Sequence, residues 1–318
     1  MNREPQSDEV NDLHAAAVRM AVDDPADVSR RVRPLGGDFT ASASRPMIAS
    51  FDFRKTTGST NDDAKAWIAS TAPLRSIAAS LPRLHIAGSQ TQGRGRHGRR
   101  WFSDHRTLTF SIIVDGERAH RLGPLSLAVG TAIADSVSRH LPGNVVQLKW
   151  PNDVWIQQRK LAGVLIERPS RDSSPWVIGV GINIGGVPTS ASALEESRSS
   201  GFEREGPPLT ASMSPAFLPT AFGTRGDWLQ RLVASILRYA DPALTTPEDI
   251  ARQFDSRCAL RGRPIRFEFS GNVLQGQCLG VRPDGGLRVD VDGHERTLFS
   301  GEVQRIRPDD GFPRNSNR

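Results

Sequence analysis

Apolar and polar positions fall into a sustained pattern only from about residue 48 onward. Before that point DLHAAAVRMAV (12–22) has helical spacing, but Pro, Gly and charged residues follow it. Residues 1–47 are therefore expected to form a largely disordered N-terminal tail. IASFDF (48–53) reads as a strand. Ser59-Thr60-Asn61 then supplies N-cap chemistry for a helix to about Ser70, with Asp62 and Asp63 in its first turn. LHIAGS (84–89) and TLTFSIIV (107–114) are apolar, β-rich runs on either side of a Gly/Arg loop at 90–106. LGPLSLAVGTAIADSVSRHL (122–141) is the longest predicted helix. VVQLKW (145–150), VWI (154–156) and KLAGVLIE (160–167) read as consecutive strands around a turn at Pro151-Asn152-Asp153. WVIGVGINI (176–184) is a further strand.

Residues 187–226 are rich in Ser, Gly, Pro and Glu and read as a flexible surface insertion. Helices are predicted over 227–240 and, started by a proline, over 247–258. Beyond residue 259 the pattern changes to short strands with turn signals: PIRFEF, VLQGQCLGV, GLRVDV, HERTLF and EVQRIR. The fold class is thus α+β. A mixed β-sheet flanked by helices spans 48–258, a small β-barrel spans 259–308, and a solvated tail occupies 309–318.

Length and composition bound the chemistry. At 318 residues the chain is long enough for about two folded units. No apolar run approaches the ~18 residues of a membrane span, and the polar N-terminus lacks a signal-peptide core. A cytoplasmic protein is expected. Two cysteines, Cys258 and Cys278, exclude a disulfide framework and a Cys-rich zinc site. Seven histidines include no pair at HExxH spacing. Forty-one basic against thirty-five acidic residues leave a charge of +6, which fits a phosphate-bearing ligand or a polyanion as well as a plain basic surface. Only four of the basic residues are lysines (Lys55, Lys65, Lys149 and Lys160), so arginine is the generic cation here. That singles out Lys149 and Lys160 as compact point charges.

The densest local signal is Gly93-Arg94-Gly95-Arg96-His97-Gly98-Arg99-Arg100-Trp101. It spells G-x-G-x-x-G, and Asp115 ends a later strand, as in a dinucleotide-binding fingerprint. The geometry argues against that reading, because only RRWFSDHR separates the motif from the next strand and no helix fits there. Three glycines let the backbone approach a ligand, while four arginines repel one another until an anion joins them. The loop alone is equally compatible with a lid over a phosphate, a grip on a nucleic-acid strand, or a plain surface loop. No P-loop sequence occurs. Lys149-Trp150-Pro151-Asn152-Asp153 is a tight bend. Lys160 heads an otherwise buried strand, and Asn183 is a lone amide in the apolar run Gly179–Ile184.

Taken in order, these segments resemble the biotin–protein ligase family. The resemblance is carried by Ser59-Thr60-Asn61, GRGRHGRRW (93–101), KWPND (149–153), KLAGVLIE (160–167), GVGIN (179–183) and a C-terminal β-unit containing Gly301-Glu302-Val303. It covers about residues 48–308. It implies a biotin/lipoate ligase-like catalytic sheet and an SH3-like barrel. It also implies an activity in which ATP and biotin, with Mg²⁺, give biotinyl-5′-adenylate, and biotin then passes to one lysine of a biotin carboxyl carrier domain of an acyl-CoA carboxylase.

By the same resemblance Ser59, Thr60, Asn61, Gln90, Arg94, Gly95, Arg96 and Lys160 line the biotin pocket. Arg94, Arg96, Trp101, Asn152, Lys160 and Asn183 face ATP and the adenylate. Lys160 and Arg96 carry the catalytic charge, with Arg94 and Arg96 closing over the triphosphate, and Asp153 positions the acceptor amine or holds Mg²⁺. Cys258 and Cys278 lie outside every motif and are expected to be structural. Some family members carry an N-terminal winged-helix repressor domain. The 47-residue leader lacks its length and pattern, so the catalysis-only form is expected: no sequence-specific DNA binding, no membrane, and a monomer or weak homodimer. The alternatives are a lipoate or octanoate ligase of the same superfamily and, more remotely, a basic nucleic-acid-binding protein.

Overall fold

The structure is a computed structural model, and it describes residues 5–22, 47–71, 74–120, 124–143, 145–169, 175–186, 215–269, 271–301 and 303–305. Its helices in chain order are α1 (Pro5–Val22), α2 (Thr60–Ser70), α3 (Leu74–Ala79), α4 (Gly116–His120), α5 (Leu125–His140), α6 (Arg225–Tyr239) and α7 (Pro247–Arg257). Seven strands make the large sheet: β1 (Ser50–Thr57), β2 (Arg83–Gln90), β3 (Thr107–Val114), β4 (Val146–Lys149), β5 (Asp153–Ile156), β6 (Arg159–Glu167) and β7 (Trp176–Asn183). Their order is β1-β2-β3-β7-β6-β5-β4. β1 and β2 run parallel and every other neighbouring pair is antiparallel, so the sheet is mixed as expected.

Strand periodicity divides this sheet into two unlike faces. In β3 the even positions Leu108, Phe110, Ile112 and Val114 join the main core. The odd positions are Thr107, Thr109, Ser111 and Ile113, and the first three are buried polar residues. α5 and α6 cover the apolar face, and their buried residues extend the main core. α2 covers part of the other face through a small cluster of Ala64, Ile113 and Val177. The remainder of that face is left for a cleft.

The C-terminal sheet has the order β11-β10-β9-β8-β12 and is wholly antiparallel. Its strands are β8 (Pro264–Phe269), β9 (Asn272–Val281), β10 (Leu287–Val291), β11 (His294–Leu298) and β12 (Val303–Arg305). It is joined firmly to the large sheet's unit. Trp150 is buried and donates its indole N–H to Gly285 O at 2.9 Å, and Val281 N donates to Asp255 Oδ1 at 2.8 Å. Cys258 and Cys278 are free thiols in contact where α7 meets β9.

Two expectations need correction. Residues 5–22 are not a disordered tail: they form an 18-residue helix with Leu13, Ala16, Ala17 and Met20 fully buried. That spacing is i, i+3, i+4, i+7. The stripe is weak in sequence because two of its members are alanines and its partner, α6, lies two hundred residues on. Asp12 also accepts a hydrogen bond from Gly226 N at 2.7 Å, in the first turn of α6. Residues 23–46 lie outside the described part. Nor is all of 187–226 a loose insertion. Residues 187–214 lie outside the described part, but Ala216 and Leu218 are buried and tie back to Lys160 O (2.9 Å) and Asn183 O (3.0 Å). α6 then starts at Arg225 behind a Thr224–Asp227 capping box. The predicted tail at 309–318 also lies outside the described residues. Two short helices, α3 and α4, were not predicted. No helix among the described residues is long and apolar enough to cross a membrane.

If α1 belongs to the core, Leu13→Ala costs about 2–5 kcal/mol of stability, read as a lower urea midpoint at unchanged slope. A midpoint equal to wild type would mean that α1 does not pack.

Candidate functional site

Sheet register builds the floor of the cleft. Thr109 in β3 pairs with Gly181 in β7, Gly181 with Gly163 in β6, Gly163 with Asp153 in β5, and Asp153 with Lys149 in β4. Directly paired residues face the same side of a sheet. One row across five strands therefore places a hydroxyl, two bare glycines, a carboxylate and an ammonium in line, and all five line the cleft. The next row, Ser111–Gly179–Leu165, runs parallel to it.

Both glycine rows are bare for a steric reason. A Cβ on Gly181 would lie 2.3 Å from the Trp101 ring, and one on Gly179 would lie 2.3 Å from Asn61 Oδ1. The Trp101 indole lies flush on the floor, and its buried N–H has no partner among the described residues. The Thr109 hydroxyl, also lining the cleft, is likewise unpartnered there. The Gly/Arg segment forms a small hairpin rather than a plain loop: Gly95 N donates to Arg99 O (2.7 Å) and Trp101 N to Gly93 O (2.8 Å). A 3₁₀ turn at Arg96–Gly98 closes it, and the chain then enters β3 with no helix. That disposes of the dinucleotide fingerprint.

One end of the cleft is buried and polar. Ser59, Thr60 and Asn61 are each only 4% exposed. Ser59 occupies the N-cap of α2 but makes no capping bond, which leaves its hydroxyl toward the cleft. Gln90 Oε1 takes over that duty, accepting from Thr60 N at 2.7 Å and Thr60 Oγ1 at 3.1 Å. Ser111 Oγ donates to Asn61 Oδ1 at 2.6 Å. The donors and acceptors here are uncharged.

The other end is cationic. Lys160 Nζ pairs with Asp153 Oδ1 at 2.7 Å and sits 5.7 Å from the Trp101 ring centroid, with its side chain 40% exposed. Lys149 is half-buried over the Trp155 ring. Burial holds its ammonium below the usual lysine range; Asp153 opposes that shift, and Lys160 and Arg99 add to it. Burial also lowers Arg96, again opposed by Asp153 and reinforced by Arg99, although a guanidinium stays charged. Lys149, Lys160 and Arg96 thus share a single floor carboxylate, Asp153, and Arg99 lines the cleft beside them. The whole cleft encloses about 1160 Å³ including its open mouth, enough for more than one small molecule.

The predicted site residues mostly converge. Ser59, Thr60, Asn61, Gln90, Arg94, Gly95, Arg96, Trp101, Asn152, Asp153 and Lys160 all line this cleft. Asn183 does not. It is buried and donates to Ala216 O at 2.9 Å, so it pins the returning chain instead of facing a nucleotide. Arg94 lines the cleft, but its guanidinium is paired bidentately with Glu167 (3.0 and 3.1 Å) and also with Asp62. Asn152 Nδ2 donates to Val164 O at 2.8 Å. Thr109, Ser111 and the floor glycines Gly163 and Gly181 were missed as site residues. For Thr109 and Ser111 the signal was the alternation T-L-T-F-S-I in β3, which leaves one strand face polar inside an apolar sheet. Gly301 and Val303 of the C-terminal sheet also reach the cleft.

Fold and cleft together define a protein whose ligand cleft joins an uncharged polar end to a cationic one, with Trp101 laid over a glycine floor between them. Residues 66–183 match the biotin/lipoate A/B protein ligase family. The biotin–[acetyl-CoA-carboxylase] ligase of Mycobacterium tuberculosis is 31% identical over 261 residues, which cover 79% of this chain and 87% of that protein. The bifunctional ligase/repressor BirA of Escherichia coli is 29% identical over 223 residues, 69% of this chain and 64% of that one. Among solved structures, a biotin protein ligase from Aquifex aeolicus in complex with biotin and ATP shares the fold. Its TM-score is 0.60 at 22% identity, over 81% of this chain and 99% of that chain. The chain belongs to the biotin/lipoate A/B protein ligase family.

Burial of the Lys149 ammonium works against the folded state. Lys149→Met is therefore expected to raise the stability of the ligand-free protein by about 1 kcal/mol at neutral pH while weakening anion binding. Because the folded pKa lies below the unfolded one, wild type closes that gap as pH rises toward the ordinary lysine value of 10.5. Urea melts at two pH values check this; a variant less stable than wild type at neutral pH contradicts it.

Proposed function

We propose that the protein is an ATP-dependent biotin–protein ligase. It joins biotin to AMP as biotinyl-5′-adenylate and then passes biotin to a lysine of a biotin carboxyl carrier domain. The observation that carries this reading is the pairing, in one cleft, of an uncharged polar end with a cluster of cations, Lys149, Lys160 and Arg96, around Asp153. A ureido ring is neutral and needs both donors and acceptors, which Ser59, Gln90, Thr60 and the unpartnered Thr109 hydroxyl supply. Thr60 and Gln90 already bond each other, but an acyl or dithiolane tail would leave the Ser59 and Thr109 hydroxyls desolvated and unpaired, at about 1–3 kcal/mol each. The polar end therefore favours biotin over lipoate.

The first step needs the other end. A carboxylate oxygen attacks the α-phosphorus of ATP, a P–O bond forms, and pyrophosphate leaves. Two anions approach each other, so positive charge must already be in place. Lys160 is the best-placed group: it projects from β6 beside Trp101, and its pair with Asp153 orients it without burying it. Lys149 and Arg96 add charge that is partly desolvated and so acts at low dielectric. Trp101 and the bare floor at Gly163 and Gly181 give a flat apolar surface, suited to an adenine ring or to biotin's fused rings. The hairpin at 93–101 shields the mixed anhydride from water. In the second step the acceptor amine attacks the acyl carbon and AMP leaves with its electron pair. Asp153 stands on the floor row where that amine would arrive.

Magnesium would supply further neutralisation of the triphosphate. Among the described residues no group of three His, Cys, Asp or Glu could hold a metal, and one oxygen of Asp153 is already taken by Lys160. The residues thus do not form a protein-built magnesium site, and any such ion would rest on nucleotide phosphates. The arginines of the hairpin do not form a free cationic strip for nucleic acid either. Arg94 is bound to two carboxylates, and Arg100 lies 4.9 Å from the centroid of the Phe102 ring.

ATP–pyrophosphate exchange with added biotin or lipoate tests the reading. Biotin-dependent exchange that falls at least about 100-fold in Lys160→Ala is expected. Exchange with lipoate alone, or none from folded protein, would overturn it.

A further inference from the structure

Glu167 lies outside the cleft, yet two of the cleft's side chains, Arg94 and Asn61, converge on it. It ends β6, two residues beyond the cleft-lining Leu165, and its side chain is 21% exposed. Oε1 accepts from Arg94 Nη1 at 3.0 Å and from Lys65 Nζ at 3.1 Å. Oε2 accepts from Arg94 Nη2 at 3.1 Å and from Asn61 Nδ2 at 2.7 Å. Asp62 closes the cluster by pairing with both Arg94 and Lys65.

These partners come from separate pieces of the wall. Arg94 belongs to the hairpin that roofs the cleft, and Asn61, Asp62 and Lys65 belong to the first turns of α2. Asn61 in turn accepts from Ser111 and packs against the bare Gly179. A single carboxylate thus ties the roof to the polar wall and, through Asn61, to the floor. The bidentate fork fixes the direction of the Arg94 side chain as well as its distance, which a lysine could not do.

We propose that Glu167 is a positioning residue for the biotin end of the cleft. It holds Arg94 and Asn61 in fixed relation, so that the hairpin is set over the polar end. On this account Arg94 acts as the anchor of the hairpin, and the charge that meets phosphate comes from Lys160, Lys149 and Arg96. The proposal rests on the ligase reading above and extends it to a residue that does not touch ligand.

The test compares wild type, Glu167→Gln and Glu167→Asp in biotin-dependent ATP–pyrophosphate exchange, with thermal melts and hydrogen exchange of the 91–101 segment. Glu167→Gln keeps the shape and one acceptor for Asn61 but loses the charge that pairs with Arg94 and Lys65. It should raise KM for biotin about tenfold while kcat at saturating biotin stays within about twofold. Exchange of 91–101 should quicken with the rest of the protein unchanged. Glu167→Asp, which keeps the charge one methylene back, should fall between Gln and wild type. An unchanged KM for biotin in both variants would overturn the proposal. So would a loss confined to kcat, or quickened exchange spread over the whole protein. Absence of exchange in wild type would instead count against the ligase reading.

Discussion

The structure depends on one register. Five strands pair so that Thr109, Gly181, Gly163, Asp153 and Lys149 lie in a single row across the sheet. A slip of one residue in any strand would turn that row to the opposite face. It would bury Lys149 in the apolar core and expose the leucines and isoleucines that now fill it. The apolar alternation in β3, β6 and β7 therefore fixes more than the core. By deciding which face is greasy it also decides where the chemistry sits.

From that row the rest of the site follows in layers. The glycines leave room for Trp101 to lie on the floor, and the hairpin that carries Trp101 forms the roof. The carboxylate in the row gives the cations a common centre. Three positive groups, Lys149, Lys160 and Arg96, share the one floor carboxylate, and partial burial makes the imbalance greater. Such an arrangement lowers stability until an anion completes it, which is the usual relation between a binding site and the fold that carries it. The opposite end of the cleft is balanced and neutral. The contrast between the two ends, more than any single residue, identifies the ligands.

Much of this was legible in the sequence. The seven strands of the large sheet, the turn at Pro151, the two C-terminal helices and the five short strands all follow from hydrophobic period and turn residues. The cleft residues in the hairpin, at 149–153 and at Lys160 stand out because charge and glycine interrupt apolar runs. What was hidden depended on contacts remote in sequence. α1 could not be placed, because its stripe is half alanine and its partner is α6. Glu167 drew no notice by itself, since nothing local shows that Arg94 and Asn61 will meet there. Asn183 drew attention as a polar residue in an apolar strand, but its partner proved to be the backbone of Ala216. A buried amide announces that it needs hydrogen bonds without announcing from where.

The proposed ligase receives a neutral polar ring at one end of its cleft and joins that ligand's carboxylate to a nucleotide at the other. The most direct measurement is to incubate the folded protein with biotin and ATP, remove free ligand, and weigh the complex by native mass spectrometry. One biotinyl-5′-adenylate retained per chain is expected. Biotin bound without nucleotide, or an adenylate formed from lipoate in preference to biotin, would contradict it.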